Sequence, residues 1–333
     1  MNLTERCTAL IQALDLGHPD QVTLVRPLTG GVASDIAEVR VAELRLCAKF
    51  ALPKLRVQAE WLAPVHRNRA EFEWLSYVHG IAPENAPKLY GRSEDMHGFA
   101  MEFLTGEDTY LWKDALLAER PERGEAAAVA TLLGRIHNAS AKPGFDTSAF
   151  QNHDDFRALR IEPYLLFTAT RHPQLAEKLQ GLADMLYSAS IALIHGDVSP
   201  KNIMLRNGAP VILDAECATM GDPCFDVAFC LNHLMLKAVH LPQSAPDLIA
   251  RLTEFRDSYL PFVDWENPDQ FEARVAALLP ALFLARVDGK SPVEYLDDAA
   301  RDHVRRIALA LLNAGPGNLD EVAAGFLKER NNI

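Results

Sequence analysis

The stretch IHGDVSPKNIMLRNGAPVILDAE, residues 194–216, constrains the fold more than any other part of the chain. Its short apolar segments are flanked by Gly, Pro and Asn, a pattern that is typical of short β-strands. If NIML and PVILD pair as a hairpin, Asp197, Asn202 and Asp214 come to one end of it. Two carboxylates and an amide oxygen are hard donors, which suit Mg²⁺ better than zinc.

This set of oxygen donors has two interpretations. In kinases, one Asp accepts the proton of the acceptor hydroxyl, while an Asn and a second Asp hold the metal ions on the triphosphate. Alternatively, the three residues are polar turn residues that cap a hairpin. A lone D-x4-N would favour the turn, but the order H-G-D-x4-N, a strand, and then I-L-D favours a phosphoryl-transfer site.

The rest of the chain predicts an α+β fold with two lobes. Residues 22–51 are β-rich, KLYG and GFAMEFLTG predict two further strands, and a helical pattern runs from about Gln58 to Val78 between them. Helical periodicity then continues over 122–139, 153–170, 172–188, 222–239, 245–260, 268–286 and 292–313. We therefore expect a small β-rich lobe, residues 1–104, and a larger helical lobe, residues 105–333, with a ligand cleft between them.

Other parts of a nucleotide site are found upstream. LTGGVAS lies between two predicted strands, where the backbone of Gly30, Gly31 and Ser34 would reach phosphates; a plain Gly-Gly hairpin turn is the alternative. The apolar strand LCAKFAL contains Lys49, which either faces an anion or extends its amine to solvent at an edge.

A kinase pairs such a strand lysine with a helix glutamate. Glu71 is the preferred partner of Lys49, and Glu73 is the next choice. Each of these carboxylates is also compatible with an ordinary solvated helix face. A short segment at the junction of the two lobes is placed for backbone hydrogen bonds to the adenine edge, through Met101, Glu102 and Leu104.

HGDVSPKNIML followed by VILDAECATMGDPCFDVAF resembles the aminoglycoside phosphotransferase and choline kinase superfamily, which has a protein-kinase-like fold. The superfamily includes methylthioribose kinase, homoserine kinase of the second type and fructosamine kinases. The resemblance implies ATP and Mg²⁺ as cofactors, Asp197 as the catalytic base or hydroxyl-orienting group, and Asn202 and Asp214 as metal ligands. It also implies that Lys49 holds the α- and β-phosphates and that Glu71 orients Lys49.

The resemblance implies structural roles for two further residues. Asp226 would begin a helix and bond the catalytic loop, either as an N-cap or as a loop anchor. His195 would pack beneath that loop. Protein kinases carry a Lys where this chain has Ser199, and no Ala-Pro-Glu segment follows Asp214 in this chain. Both departures favour a small-molecule acceptor over a protein.

The sequence leaves the acceptor open. A sugar or polyol-like metabolite is the first prediction, and an aminoglycoside or a choline-like amino alcohol is the second. A catalytically silent nucleotide-binding regulator is the alternative of another class. The residues predicted to line the acceptor site are Asp155, Arg157, Glu216, His233, Arg286 and Tyr295. Lys201 reaches either a phosphate or solvent, and the sequence does not decide between them.

Composition limits the partners. The net charge of −12 argues against nucleic acid and against an anionic membrane, because both need a basic face. The five cysteines form no CxxC or zinc pattern, so buried free thiols are expected. The N-terminal segment is amphipathic and lacks the pattern of a secretory signal, so a cytoplasmic location is predicted. A homodimer and a preference for ATP or GTP are left open.

Overall fold

The structure is a computed structural model that describes residues 1–28, 34–54 and 64–330. The strands in these ranges are β1 (Val22–Pro27), β2 (Ser34–Val41), β3 (Leu44–Ala51), β4 (Leu89–Ser93), β5 (Gly98–Glu102), β6 (Thr109–Leu111), β7 (Ala192–Ile194), β8 (Ile203–Arg206), β9 (Ala209–Ile212) and β10 (Thr219–Gly221).

The α-helices are α1 (Leu3–Ala13), α2 (Arg67–Ile81), α3 (Trp112–Leu117), α4 (Glu125–Ser140), α5 (His153–Phe156), α6 (Phe167–Arg171), α7 (Ala176–Ser188), α8 (Cys224–His240), α9 (Ala245–Tyr259), α10 (Pro268–Asp288), α11 (Asp298–Ala314) and α12 (Leu319–Arg330). A π-helix, Arg157–Leu166, joins α5 to α6.

The N-terminal part is an antiparallel five-stranded sheet in the order β1-β2-β3-β5-β4. Helix α1 begins with a capping box, in which Asn2 and Glu5 each accept the backbone N–H of the other. Its buried face, Cys7, Leu10 and Ile11, packs with the sheet residues to form a small core. The sheet thus gives Lys49, on the central strand β3, a rigid support.

Two small sheets carry the segment 194–216. Strands β8 and β9 pair as a hairpin whose two-residue loop is Asn207-Gly208. Both loop residues have positive φ, 52° and 81°, as a type I′ turn requires, and Asn-Gly is the sequence that most favours it. The expected hairpin is therefore confirmed, and Asp214 follows its second strand, which ends at Ile212.

Helices form the larger part of the chain and its main core. Helix α8 is buried along nearly its whole length and packs against α9, α10 and α11. The expected α+β fold, with a small β-rich lobe and a larger helical lobe, is confirmed. The lobe boundary at residue 104 stays a prediction.

Several predicted boundaries need correction. The helix expected from Gln58 begins at Arg67, because 64–66 form a turn, and 55–63 lie outside the described residues. The helix expected from 292 begins at Asp298, where the Asp297 side chain caps it by accepting from Ala300. The predicted helix 153–170 contains the π-helix, since Pro163 has no N–H to donate.

Two further features concern the predicted free thiols and the possibility of a membrane span. All five cysteines are free and buried, as expected. Among the described residues, no helix is both long enough and apolar enough to cross a bilayer.

Candidate active site

Hydrogen bonds to the backbone of Asp197 hold this residue in place in the loop after β7. The Asp197 N–H donates to Nδ1 of His195 at 3.1 Å, and Nε2 of His195 donates to the carbonyl of Leu213 at 3.1 Å. The amide nitrogen of Asn202 donates to the carbonyl of Asp197 at 3.0 Å. His195 is fully buried beneath the loop, and burial lowers its pKa, so its ring is neutral. Through its two hydrogen bonds the ring holds the Asp197 loop against the segment that contains Leu213.

Asp226 anchors the same loop from the first turn of α8. Its carboxylate accepts the backbone N–H groups of His195 at 2.6 Å and Gly196 at 2.8 Å. The ring of His137 lies 3.3 Å from the same carboxylate and in turn contacts the hydroxyl of Tyr259. Of the two structural roles that the sequence left open for Asp226, the structure places it as the loop anchor.

Asp226→Ala is expected to destabilise the fold by roughly 3 kcal/mol or more. The change leaves two buried N–H groups without an acceptor, and each unsatisfied group costs about 1–3 kcal/mol. Urea unfolding would measure the loss. The control is Asp257→Ala, whose surface pair with Arg256 contributes at most about 1 kcal/mol. Equal stability of the two variants would contradict the anchoring role.

Two cations flank the Asp197 carboxylate. Nη2 of Arg160 lies 3.1 Å and Nζ of Lys201 3.3 Å from Oδ2 of Asp197. Burial opposes ionisation of Asp197, but Lys201 and Arg160 outweigh it and hold the pKa of that carboxyl below its usual range. The group is therefore ionised at neutral pH and able to accept a hydrogen bond from a hydroxyl.

Lys49 connects the N-terminal sheet to the segment 194–216. Its Nζ lies 2.6 Å from Oε2 of Glu71 on α2, contacts Oδ1 of Asp214, and lies 3.5 Å from Oε1 of Glu216. The backbone N–H of Asp214 also donates to Glu71 at 3.1 Å. Lys49 therefore faces inward onto anions, and Glu71, rather than Glu73, is its helix partner.

Glu216 belongs to this cluster and not to the acceptor side of the chain. It accepts from Nε of Arg67 at 2.6 Å and from the hydroxyl of Ser34. Ser34 is the first residue of β2 and directly follows the glycine-rich loop. Gly30 and Gly31, predicted to contact phosphates, lie outside the described residues.

Among the described residues, the carboxylates of this cluster outnumber its cations. Three carboxylates, Glu71, Asp214 and Glu216, meet two cations, Lys49 and Arg67. Burial and the neighbouring carboxylates raise the pKa of Glu71 to about 7, with Lys49 opposing them. A divalent cation would neutralise this surplus, and each of the three carboxylates has an oxygen within 4.8 Å of the others.

The donor set fits a hard cation such as Mg²⁺. All the candidate ligands are oxygens, and Asn202 keeps its amide oxygen without a protein partner among the described residues. Asp214 sits at φ 68°, in the left-handed region that side chains other than Gly seldom adopt. Burial opposes ionisation of Asp214, but Lys49 and Lys201 keep the pKa of that carboxyl below its usual range.

The three residues predicted to bond the adenine edge differ in whether their backbone N–H group is available to a ligand. The N–H of Glu102 already donates to the carbonyl of Lys88 at 2.7 Å, and its carboxylate accepts from Arg206. Met101 lies inside β5, paired with Cys47. The N–H of Leu104 has no partner in the described part of the chain, so this group is the available donor of the three.

The six predicted acceptor residues fall into separate groups. His233, Arg286 and Tyr295 lie in the helical lobe near one another and near Lys237. Asp155 instead contacts Nε2 of His66 at 2.6 Å. Arg157 pairs with Glu162 at 3.2 Å and lies over the ring of Tyr187, while Glu216 lies in the Lys49 cluster.

Sequence reasoning missed three cations of this region, Arg67, Arg160 and Lys237. Arg160 is brought to Asp197 by the π-helix, whose extra residue per turn no periodic pattern predicts. Lys237 occupies a fully apolar run of α8 and could have been found, because a lysine is seldom buried in such a run without a partner.

A sequence profile described as "Phosphotransferase enzyme family" matches residues 25–260. A methylthioribose kinase of Erwinia tasmaniensis is 25% identical over an alignment of 272 residues, and the alignment covers 72% of this chain and 63% of that relative. The chain thus matches less than two thirds of the length of this curated relative.

Solved structures show the same fold. A choline/ethanolamine kinase family protein from Mesorhizobium loti superposes with a TM-score of 0.57 at 15% identity, covering 99% of this chain and all of that one (100%). An amicoumacin kinase in complex with AMP-PNP and Ca²⁺ superposes with a TM-score of 0.54 at 14% identity, covering 92% of this chain and 93% of that one. The protein-kinase-like fold is therefore confirmed.

Proposed function

Because the chain belongs to the phosphotransferase enzyme family, we propose that it transfers the γ-phosphoryl group of ATP to a hydroxyl group of a small molecule. The nucleotide binds to the β-rich lobe, residues 1–104, and the acceptor binds to the helical lobe, residues 105–333. The observation that carries the proposal is the meeting of Lys49 and Glu71, from the first lobe, with Asp214, from the hairpin segment beside Asp197.

Each lobe supplies a part of the nucleotide site. Lys49 exchanges its contact with Asp214 for the α- and β-phosphates and keeps its pair with Glu71. The N–H of Leu104 bonds the adenine edge. The alternative of a silent nucleotide-binding regulator is disfavoured because Asp197, Asn202 and Asp214 are all present.

The chemical step needs one proton acceptor. Asp197 accepts a hydrogen bond from the acceptor hydroxyl and orients its oxygen toward the γ-phosphorus. A bond forms between that oxygen and phosphorus, the bond from phosphorus to the β,γ-bridging oxygen breaks, and ADP leaves. The hydroxyl proton passes to Asp197 and then to solvent. Arg160 and Lys201 keep Asp197 ionised and fixed until then.

The residues that would hold Mg²⁺ are Asp214 and Asn202, with Glu216 beside them. Bound there, the metal neutralises negative charge on the phosphates during transfer. Positioning and charge neutralisation supply most of the rate of phosphoryl transfer, so the protein provides little covalent chemistry. The surplus negative charge of the Lys49 cluster supports this assignment.

A sugar or polyol-like metabolite is the proposed acceptor class, and the similarity to a methylthioribose kinase supports it. An amine such as an aminoglycoside or a choline-like alcohol is the second candidate. Ser199, in place of the Lys of protein kinases, supports a small acceptor.

We expect ATP with Mg²⁺ to raise the melting temperature, because a ligand at about 100 times its Kd stabilises the folded state by about 2.7 kcal/mol. ADP release is then measured against sugars, polyols, hydroxy acids, amino alcohols and aminoglycosides. The expected result is turnover with one class of acceptor and a strong loss of turnover in Asp197→Asn. ATP stabilisation without turnover on any class would favour the silent regulator, and the absence of ATP stabilisation would contradict the nucleotide site.

A further inference from the structure

A cluster of basic side chains lies in the helical lobe. This cationic cluster consists of Lys113 on α3, His233 and Lys237 on α8, and Arg286 on α10. Lys237, His233 and Arg286 are all buried, with 1%, 6% and 9% of their surfaces exposed. Two tyrosines border the cluster: the ring of Tyr295 lies 5.6 Å from Nζ of Lys237, and the ring of Tyr164 lies 5.6 Å from the Arg286 guanidinium.

Among the described residues, two of the cluster's cations lack the close carboxylate partner that buried cations normally have. Lys113 pairs with Glu294 at 3.0 Å, but among the described residues neither Lys237 nor Arg286 has a carboxylate within 4.0 Å. In the part of the chain that the structure describes, Arg286 donates to neutral oxygens alone, the hydroxyls of Tyr164 at 3.0 Å and Ser291 at 3.1 Å. A buried charge without a counter-charge is strongly unfavourable, so this arrangement indicates a missing anion.

Two buried polar atoms give independent support for a missing ligand. Nε of Arg286 and the hydroxyl of Tyr295 have no hydrogen-bond partner among the described residues. Natural proteins seldom leave such atoms unsatisfied. Burial and the charge of Lys113 also lower the pKa of Lys237 to about 7, which shows how unfavourable its charge is without a partner.

Intervening residues link the cluster to the region of Asp197. Tyr164, which accepts from Arg286, is four residues from Arg160 on the π-helix, and Arg160 pairs with Asp197. Lys201 lies 3.3 Å from Asp197 and is close enough to His233 to lower its pKa, although burial is the larger cause. Helix α3, which carries Lys113, packs against the turn at Pro200–Asn202.

We infer that the acceptor carries an anionic group, a carboxylate or a phosphate, which binds between Lys237 and Arg286 while a hydroxyl of the same molecule faces Asp197. The inference rests on the proposed function and narrows its acceptor to hydroxylated anions, such as sugar acids or sugar phosphates. Arginine and lysine are the usual ligands of both groups. The same cations would repel the ammonium of choline or of an aminoglycoside.

Binding of matched pairs of compounds tests the inference. Titration calorimetry compares D-gluconate with D-glucitol, D-glycerate with glycerol, and glycerol 3-phosphate with glycerol, each with and without AMP-PNP and Mg²⁺. The anionic member of at least one pair should bind, and its neutral partner should bind at least tenfold more weakly. Lys237→Met should weaken binding of that anion about 10- to 100-fold, since it removes a charged hydrogen-bond donor.

The matched control is Lys142→Met. Lys142 is an exposed lysine that pairs with Asp264 and is not part of the cluster, so this variant should bind the anions as the wild type does. Arg286→Gln serves as a second cluster variant if Lys237→Met does not fold. Tighter binding of glycerol 3-phosphate than of both carboxylates would identify the anion as a phosphate, and the reverse order as a carboxylate.

The outcomes separate this inference from the proposed function. If no anion binds, or if Lys237→Met binds anions as well as the wild type, the inference is overturned; turnover of a neutral or amine acceptor would leave the kinase proposal standing. If anions bind through Lys237 but ATP neither binds nor turns over, the cationic site is supported and the proposed function fails.

Lys237→Met should also raise the melting temperature of the ligand-free protein at pH 7. The groups whose charge bears on Lys237 are Lys113 on α3, Cys230 on α8, Arg286 on α10 and Glu294 in the following loop. The pKa of Lys237 is about 7 in the folded protein and near its ordinary value of 10.5 when unfolded. The unfolded state therefore binds more protons between these values, and wild-type stability rises with pH across that window.

The gain in stability from Lys237→Met should thus be largest at or below pH 7 and should decrease toward zero near pH 10.5. Thermal unfolding of both proteins between pH 6 and pH 10 measures the difference, and the Lys142→Met control should show no such trend. A gain that does not change with pH, or a loss of stability at pH 7, would contradict the absence of a counter-charge.

Discussion

Asp197→Asn is expected to lower kcat by at least about 10²–10⁴-fold, the range for a positioned acid–base group. The amide keeps the size of the side chain and can still accept one hydrogen bond, but it cannot take the hydroxyl proton. The backbone contacts that hold the loop come from His195, Asn202 and Asp226, so the fold should persist. ATP binding should persist too, because the proposed nucleotide site is centred on Lys49 and Asp214.

Steady-state ADP release and calorimetric ATP binding measure the two effects separately. The control is Asp257→Asn, which changes an exposed carboxylate on α9 that pairs with Arg256. Its kcat should equal that of the wild type. If Asp197→Asn retained more than a tenth of the wild-type kcat, Asp197 would not be the proton acceptor.

Asp214→Asn should lower activity further than Asp197→Asn does, because the metal then loses an anionic ligand next to a polyanion. Asn tolerates the left-handed backbone found at this position, φ 68°, so the backbone should not change. Lys49 loses one of its three carboxylate neighbours but keeps its close pair with Glu71. The change therefore acts on the metal site and not on the fold.

The measurement is ATP affinity at increasing Mg²⁺ concentration. Wild-type affinity should rise as Mg²⁺ is added, whereas Asp214→Asn should show a much smaller dependence. The matched control is Asp222→Asn, a buried carboxylate whose partners are Arg274 and the N–H of Cys224, outside the Lys49 cluster; it should keep the Mg²⁺ dependence. An unchanged Mg²⁺ response in Asp214→Asn would contradict the assigned metal site.

The sequence predicted the catalytic hairpin because its signals are local. Asn207-Gly208 fixes a two-residue turn, and the pairing of β8 with β9 then brings Asn202 next to Leu213, immediately before Asp214. Lys49 and Glu71 were also identified, since a lysine that faces inward from an apolar strand needs an anion, and the next helix along the chain supplies a glutamate. The contacts from Lys49 to Glu71 and Asp214 confirm the geometry, while the catalytic roles stay proposals.

Contacts that depend on irregular backbone or on distant elements were not predictable. The π-helix turns Arg160 toward Asp197 and leaves Arg157 against Glu162 and Tyr187, and a regular helical period would not give that arrangement. Arg67 and Glu216 are 149 residues apart, so their pair follows from the packing of the two lobes.

The charge balance of the predicted acceptor site was also not predictable from the sequence alone. Of the six residues predicted to line one acceptor site, His233, Arg286 and Tyr295 lie near one another, but the missing counter-charges become visible only when the burial of Lys237 and Arg286 is known. The charge of the whole chain, −12, is compatible with a cationic substrate. The local charge at the cationic cluster has the opposite sign, and the local charge decides what binds there.

The most direct test of the proposed activity follows the phosphoryl group itself. The protein is incubated with Mg²⁺, γ-labelled ATP and a mixture of hydroxy acids, sugar phosphates, neutral polyols and amino alcohols, and the products are separated and identified by mass spectrometry. We expect label in a phosphate ester of a hydroxylated small molecule, in equal amount to the ADP formed, and none in the Asp197→Asn reaction. Label that appears only as inorganic phosphate, or on protein, would contradict phosphoryl transfer to a small-molecule hydroxyl.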